Sequence, residues 1–290
     1  MAGALDDPAR ARTPAEALGK AAMRLRAAGI EEARAEARLL LALAGLSRER
    51  QIAGPGEPLA PATLGMFASF VERRCGREPM AYIRGTAPFL DFDLVVRPGV
   101  LVPRPETELL VETVAAEMRG RPAGRILDLG VGSGCIALAL LRQLPGWTAV
   151  GVDRSAEAIA CAAGNARRLD LDGRLELVTG GWEAAPAGHY DVVVSNPPYV
   201  AGGELEGLQP EVRDFEPRLA LDGGTDGLDP YRVLAPLAAS LLAPGGLVAF
   251  EHGAGQADAV AALLSAAGFA AIRRYRDLAG IERCVTARLD

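Results

Sequence analysis

Residues 125–140 read RILDLGVGSGCIALAL. An apolar strand, Arg125 to Leu129, runs into three glycines, Gly130, Gly132 and Gly134, and then into an apolar helix starting near Cys135. Glycine lets a backbone turn sharply and approach a ligand closely, and a helix start presents unpaired N–H groups. Strand, glycine turn and helix in this order place a nucleotide-like ligand at the C-terminal end of the strand. The spacing is G-x-G-x-G, which differs from the G-x-G-x-x-G of dinucleotide-binding folds. A second strand, TAVGVDRS at 148–155, ends in Asp153, 19 residues after Gly134. A carboxylate there can accept from both hydroxyls of a ribose, or it can cap the helix that starts near Ser155. Asp128, just before the turn, can hold the loop or meet an amino group of the ligand.

Outward from this stretch the chain alternates. Strands are predicted at 125–130, 148–153, 174–179, 190–195, 246–251, 270–276 and 282–288, and helices near 106–118, 134–144, 155–169, 229–242 and 255–267. Such alternation implies a mostly parallel sheet with helices on both faces. The last two strands leave no room for a crossover helix, so they must pair antiparallel. Upstream, AEALGKAAMRLRAAGI and EARAEARLLLALAGL place apolar residues at helical spacing between Arg and Glu. They predict a helical bundle over residues 1–85. In PFLDFDLVVRPGVLVPRPE, Phe89, Phe92, Leu94 and Val96 alternate loosely before Pro98-Gly99, which predicts a β-hairpin linker over 86–104. The remaining domain is 105–290. The glycine turn and the acidic second strand end together resemble the class I S-adenosylmethionine-dependent methyltransferases. This predicts an α/β, Rossmann-like fold with a seven-stranded mostly parallel sheet and an antiparallel last strand.

The fourth strand, YDVVVS, delivers Asn196-Pro197-Pro198-Tyr199 to the same sheet edge. In methyltransferases a [DNS]-P-P-[YFW] tetrad at this point marks transfer to a planar nitrogen conjugated with a π-system. Such a nitrogen is a poor nucleophile because its lone pair is delocalised. Two acceptors can orient its NH2: the Asn196 side-chain oxygen and a main-chain carbonyl fixed by Pro197. As the nitrogen attacks a methyl group it becomes positive, and the same oxygens bind it more strongly than they bound the neutral group. Tyr199 can stack on the planar group. The chemistry calls for no metal and no covalent nucleophile.

EPMAYIRG, LVPRPETELLVE, VSNPPYV, EVRDFEPRLALDGGTDGLDPYR, LAPGGLVAFEHGAGQ and RDLAGIERCV, with the glycine stretch, are similar to the protein-(glutamine-N5) methyltransferases that modify peptide-chain release factors, the HemK/PrmC family. The segments PRPETE and EPRLALDGGTDGLDPYR discriminate best, because they are not general methyltransferase features. The resemblance implies that residues 1–85 contact the release factor and that the substrate is the glutamine of its Gly-Gly-Gln loop. It implies cofactor contacts at Gly130, Val131, Gly132, Ser133, Gly134, Asp153, Trp182 and Asn196. Asn196, Pro197, Pro198 and Tyr199 would hold the substrate, with Asn196, Pro197 and Tyr199 as the catalytic group. The cofactor is S-adenosylmethionine and its product S-adenosylhomocysteine. Where the family often carries Asp before the tryptophan, this chain has Gly181-Trp182, so no carboxylate for adenine's amino group stands at that position. Arg104 and Glu106 either wall the substrate site or start a helix, and LALDGGTDG folds over the site or forms a surface loop. The alternatives are glutamine methylation of a ribosomal protein and adenine-N6 methylation of nucleic acid on a flipped base.

Composition bears on the nucleic-acid alternative. The 290 residues carry a net charge of −6, where nucleic-acid partners favour a basic face. Residues 1–85 have thirteen basic against ten acidic side chains, and the rest eighteen against twenty-seven. No direct nucleic-acid partner is therefore expected. Cys75, Cys135, Cys161 and Cys284 show no C-x-x-C spacing, so neither a disulfide nor a zinc site is expected and a reducing compartment fits. The N-terminus lacks the apolar core of a signal peptide, and no run of about 18 apolar residues exists. A cytoplasmic protein without a membrane partner is expected.

Overall fold

The computed structural model describes residues 7–54 and 56–289. The N-terminal expectation rests in part on residues 1–6, which lie outside the described residues. The chain divides into two compact units, Met1–Arg84 and Gly85–Asp290.

The first unit holds α1 (Pro14–Ala27), α2 (Ala33–Leu43), α3 (Arg48–Ala53), α4 (Pro61–Cys75) and α5 (Met80–Arg84). Thr13 caps α1 by accepting from the Glu16 N–H, with Pro14 at the first helical position, where a missing N–H is harmless. Ala17, Ala21 and Leu25 recur on one face and meet Leu40, Leu41, Phe67 and Val71 in a closed core. Helix α3 lies beyond the two stretches whose periodicity predicts helices. Its Gln51 is buried and its Nε2 donates to the carbonyls of Leu46 and Arg38, a polar contact that apolar periodicity does not announce.

The second unit opens with β1 (Thr86–Phe89) and β2 (Phe92–Val95), an antiparallel hairpin. The expected linker is packed instead into the core of this unit. Phe89 and Leu94 are buried there, and Asn165 brackets Val95 with bonds of 2.8 and 3.0 Å. The hairpin turns at Leu90-Asp91. Glu108 accepts from the Leu90 N–H at 2.7 Å, and Leu90 takes a positive φ of 51°. The alternation of Phe89, Phe92 and Leu94 reports burial against residues 105–118 and their neighbours, which a linker would not need.

Then follow α6 (Pro105–Met118), β3 (Arg125–Leu129), α7 (Cys135–Gln143), β4 (Thr148–Asp153), α8 (Ala156–Arg168), β5 (Leu175–Thr179), β6 (Tyr190–Ser195), α9 (Pro210–Phe215), α10 (Asp229–Leu241), β7 (Leu242–Glu251), α11 (Ala257–Ala266), β8 (Phe269–Arg276) and β9 (Glu282–Leu289). The sheet order is β5-β4-β3-β6-β7-β9-β8. All neighbours are parallel except β9, which inserts antiparallel between β7 and β8. The seven strands and the antiparallel last strand agree with the sequence reading. Ile126 and Leu127 point to opposite faces and enter separate cores, the signature of a sheet covered by helices on both sides. After β3 the chain winds outward through β4 and β5, then returns to β6 on the other side of β3. The crevice beyond the strand ends at such a reversal is where open α/β sheets bind ligands.

Candidate active site

The reversal brings the two diagnostic motifs side by side. Asp128 pairs with Val194 in the β3–β6 register, and the Ser195 hydroxyl donates to the Leu129 carbonyl across the same two strand ends. The glycine turn therefore leaves β3 next to the point where Asn196 leaves β6. A cavity of about 650 Å³ opens there, within the usual range for small-molecule sites. Gly130, Gly132, Asp153, Trp182, Asn196, Pro197 and Pro198 line it.

The turn is shaped by its own backbone. Gly130 and Val131 both donate to the Val152 carbonyl, at 2.8 and 3.0 Å. Gly130 has a φ of 91° and open space where a side chain would be, so it leaves the cavity floor bare. Gly134 has a φ of 86°, and a Cβ there would come within 2.9 Å of Leu138. It starts α7 where a larger residue would be both strained and crowded. Val131, Ser133 and Gly134 do not line the cavity. Val131 is buried in the core. Ser133 is buried with its Oγ unpartnered, and its carbonyl accepts from Asn165 at 2.9 Å. They build the turn, while Gly130 and Gly132 face the ligand space.

Asp153 has work on both oxygens. One accepts from the Gly132 N–H and the other from the Ser155 N–H, each at 2.9 Å. A carboxylate oxygen has two lone-pair sites, so both retain capacity for ribose hydroxyls while they order the loop. The helix cap itself is Ser155, whose Oγ accepts from Ala158. Asp128 is fully buried and accepts from the Ala137 N–H at 3.1 Å. Its other oxygen is unpartnered. Burial pushes its pKa up to about 7, partly offset by the Ala137 N–H. It anchors the start of α7 and does not line the cavity.

Trp182 begins a short 3₁₀ turn at the cavity rim. A side chain built on Gly181 would run into the carboxylate of Glu183. The Glu183 carboxylate lies over this glycine and does not line the cavity.

Asn196 is half-buried, and its Nδ2 donates to Thr107 Oγ1 at 3.1 Å. No group among the described residues donates to its Oδ1. Tyr199 does not line the cavity. Its ring packs against the core beneath α10, burial raises its hydroxyl pKa to about 12, and its carbonyl accepts from Gln256 Nε2 at 3.0 Å. Gln256 also reaches the Gly227 carbonyl and accepts from the Gly253 N–H, so it ties the tetrad to two further loops. His252 is buried, burial lowers its pKa, and its Nδ1 bonds to the Gly253 carbonyl. It serves packing rather than proton transfer.

The two segments that discriminate best meet each other. Arg104 binds Glu216 at 2.6 Å, and Glu216 also accepts from the Val102 N–H at 3.1 Å. Burial raises the pKa of Glu216 and Arg104 lowers it. Neither Arg104 nor Glu106 lines the cavity. Beyond the pair, Val200 exchanges backbone bonds with Leu221 and Gly223, so the 217–224 loop walls the cavity with Leu219, Asp222 and Gly224. The loop LALDGGTDG does fold over the site. Arg104→Met would leave a buried carboxylate with one donor, and destabilisation by about 2 to 3 kcal/mol is expected. Chemical denaturation measures it. The double variant with Glu216→Gln should recover part of the loss, and full additivity would contradict a direct pair.

Three residues that hold the site had no role readable from the sequence: Asn165, and Thr107 and Gln256, which stand within PRPETE and LAPGGLVAFEHGAGQ. Each is a single polar residue in a helix or loop whose partner lies far along the chain. A polar side chain on an otherwise apolar face, as Asn165 shows within CAAGNARR, is the one available signal.

The bare glycine floor, an acceptor-rich Asp153 and the aromatic rim fit S-adenosylmethionine. Fold and cavity together define a class I S-adenosylmethionine-dependent methyltransferase. Residues 104–210 match the Methyltransferase small domain model, and 16–85 match the PrmC N-terminal domain model. A release factor glutamine methyltransferase of Rhodospirillum rubrum is 45% identical over 286 residues, covering 97% of this chain and 88% of the relative. That of Geobacter sulfurreducens is 46% identical over 263 residues, covering 90% and 91%. This chain belongs to the family of release factor glutamine methyltransferases. A methyltransferase of Pyrococcus furiosus shares the fold, with a TM-score of 0.50 at 17% identity over 69% of this chain and 89% of that one. The relatives do not favour ribosomal-protein or adenine methylation. Among the described residues no helix is long and apolar enough to cross a membrane.

Proposed function

We propose that this chain methylates the side-chain amide nitrogen, N5, of the glutamine in the Gly-Gly-Gln loop of peptide-chain release factors, with S-adenosylmethionine as donor. The observation that carries the reading is the placement of Asn196, with an unengaged Oδ1, in the same cavity as the glycine floor and Asp153. When bound, S-adenosylmethionine supplies a methyl group made electrophilic by its sulfonium. Gly130 and Gly132 admit the ligand closely, Asp153 accepts from the ribose, and Trp182 borders the adenine. Asn196 Oδ1 and the main-chain carbonyl set by Pro197 accept the two amide N–H groups and aim the lone pair along the transfer line. Orientation of this kind can contribute roughly 7–11 kcal/mol to lowering the barrier. The nitrogen gains positive character during attack, so both acceptors strengthen in the transition state. The methylated nitrogen then releases one proton to solvent.

The ring of Tyr199 and the Gln256 bond to its carbonyl keep the tetrad stiff behind the acceptor. Residues 1–85 supply the surface that reads the release factor, and the reaction belongs in the cytoplasm, where translation ends. The substrate is tested by incubating enzyme, cofactor and a purified release factor, then mapping peptides by mass. A methyl increment on the Gly-Gly-Gln peptide supports the reading, and its appearance elsewhere, or not at all, refutes it.

A further inference from the structure

Asn196 can show either face of its amide to the cavity. The oxygen and the NH2 group have nearly the same shape, so packing alone does not choose between them. Only the oxygen can accept from the substrate amide, so something behind Asn196 has to make the choice.

Behind it stand two buried side chains that the transfer step leaves unused. The β6–β7 register pairs Ser195 with Phe250, which makes Glu251 the cross-strand neighbour of Asn196. Glu251 is 1% exposed, and its Oε2 has no hydrogen-bond partner. Thr107, on α6, is also 1% exposed, and its Oγ1 accepts from Asn196. Burial pushes the Glu251 pKa up to about 7, and the side chains of Thr107 and Asn196, with Arg283, pull it back down. Thr107 and Asn196 thus lie beside the carboxylate and favour its charged form, and its unpartnered oxygen is open to a donor. A threonine has one hydroxyl proton. If that proton goes to Glu251, Oγ1 is left as an acceptor and draws the NH2 face of Asn196 toward itself. The amide oxygen then points into the cavity.

We propose that Glu251, acting through Thr107, fixes the Asn196 amide with Oδ1 toward the acceptor nitrogen, making Glu251 and Thr107 positioning residues for methyl transfer. The inference rests on the proposed amide-methylating role of Asn196. It also gives the reaction a pH dependence. Protonated Glu251 becomes a donor, the Thr107 proton is freed to turn toward Asn196, and the amide loses its preferred face. Other groups facing Glu251 are Glu106 on α6, Arg283 on β9, Tyr199, Tyr231 on α10, Cys284 on β9 and Cys135 on α7. Glu106 opposes its ionisation and Arg283 favours it. Burial raises the pKa of both tyrosines and both cysteines, so these four stay neutral as Glu251 titrates. Transfer should rise with pH as Glu251 ionises.

The test uses full-length enzyme, a purified release factor and S-adenosylmethionine. Thr107→Val keeps the side-chain shape and removes the hydroxyl. Its kcat should fall by roughly 10- to 100-fold, the scale of a small misplacement of a reacting group, with cofactor affinity by calorimetry unchanged. Thr107→Ser should restore most of the rate. In Glu251→Gln the rise of kcat/KM centred near pH 7 should disappear. Wild-type kcat in Thr107→Val, or equal losses in the Val and Ser variants, would overturn the proposal, as would an unaltered pH profile in Glu251→Gln. Failure of the wild-type enzyme to methylate the release factor would instead refute the substrate assignment.

Discussion

Asn196→Ala is expected to lower methyl transfer by roughly 10²- to 10³-fold, the effect of removing one preorganised polar group from a developing charge. The affinity for S-adenosylmethionine should change little, because the floor and the ribose acceptor belong to other loops. The loss should fall on kcat, since the Asn196 oxygen binds the charged transition state more strongly than the neutral amide. Thr107 would lose its donor, but its hydroxyl could still reach Glu251, so the fold should survive. Single-turnover kinetics with labelled cofactor, beside calorimetry, separates the two quantities. Turnover at the wild-type rate would eliminate the orientation mechanism.

Asp153→Ala should act on the opposite quantity. Its carboxylate holds the N–H groups of Gly132 and Ser155 at 2.9 Å each while keeping lone pairs for the ribose. Removing it breaks the loop contact and the ligand contact together. Bonds to charged groups contribute about 1.5–3 kcal/mol, so S-adenosylmethionine should bind roughly 100-fold more weakly. At saturating cofactor, kcat should recover substantially. Asp153→Asn retains one acceptor oxygen and should show an intermediate loss. Calorimetry decides it: if alanine leaves the dissociation constant unchanged, Asp153 is a loop brace only and the ribose is held elsewhere. Together the two variants separate holding the donor from aiming the acceptor.

The pH behaviour connects these points to folding. Asp128 and Glu251 both have pKa values pushed up to about 7 by burial. Between the ordinary carboxylate range and about pH 7 the folded chain keeps protons that the unfolded chain has released. Their contribution to stability is therefore present at acid pH and is lost as pH rises through 7. His252 acts in the opposite sense, because burial lowers its pKa. Buried carboxylates this close to a reaction centre are unfavourable for stability, and their retention is consistent with a role in orienting Asn196 and the start of α7.

The strands were legible because a strand covered on both faces must be almost wholly apolar, as ILDL and VVVS are. The glycine turn and NPPY were legible because their residue types carry backbone and hydrogen-bonding constraints that few other uses require. The hairpin was readable as a hairpin, but its membership in the second core was not, since alternation shows that one face is buried and not against what. Tyr199 illustrates the same limit. The motif supplies an aromatic, while packing under α10 decides that its ring supports the tetrad instead of lining the cavity.

By itself, then, the sequence determined the strands of the main sheet and its longer helices, the strand-end chemistry and the family, because each depends on local residue type and spacing. Tertiary structure alone decided the joining of Arg104 to Glu216, of Asn165 to Val95 and Ser133, and of Asn196 to Thr107 beside Glu251. Those pairs lie far apart along the chain, and a single polar side chain carries no record of its partner. The sheet order, which sets β6 between β3 and β7, brings Asn196 beside Glu251, and the packing of helices and loops against the sheet joins the other pairs.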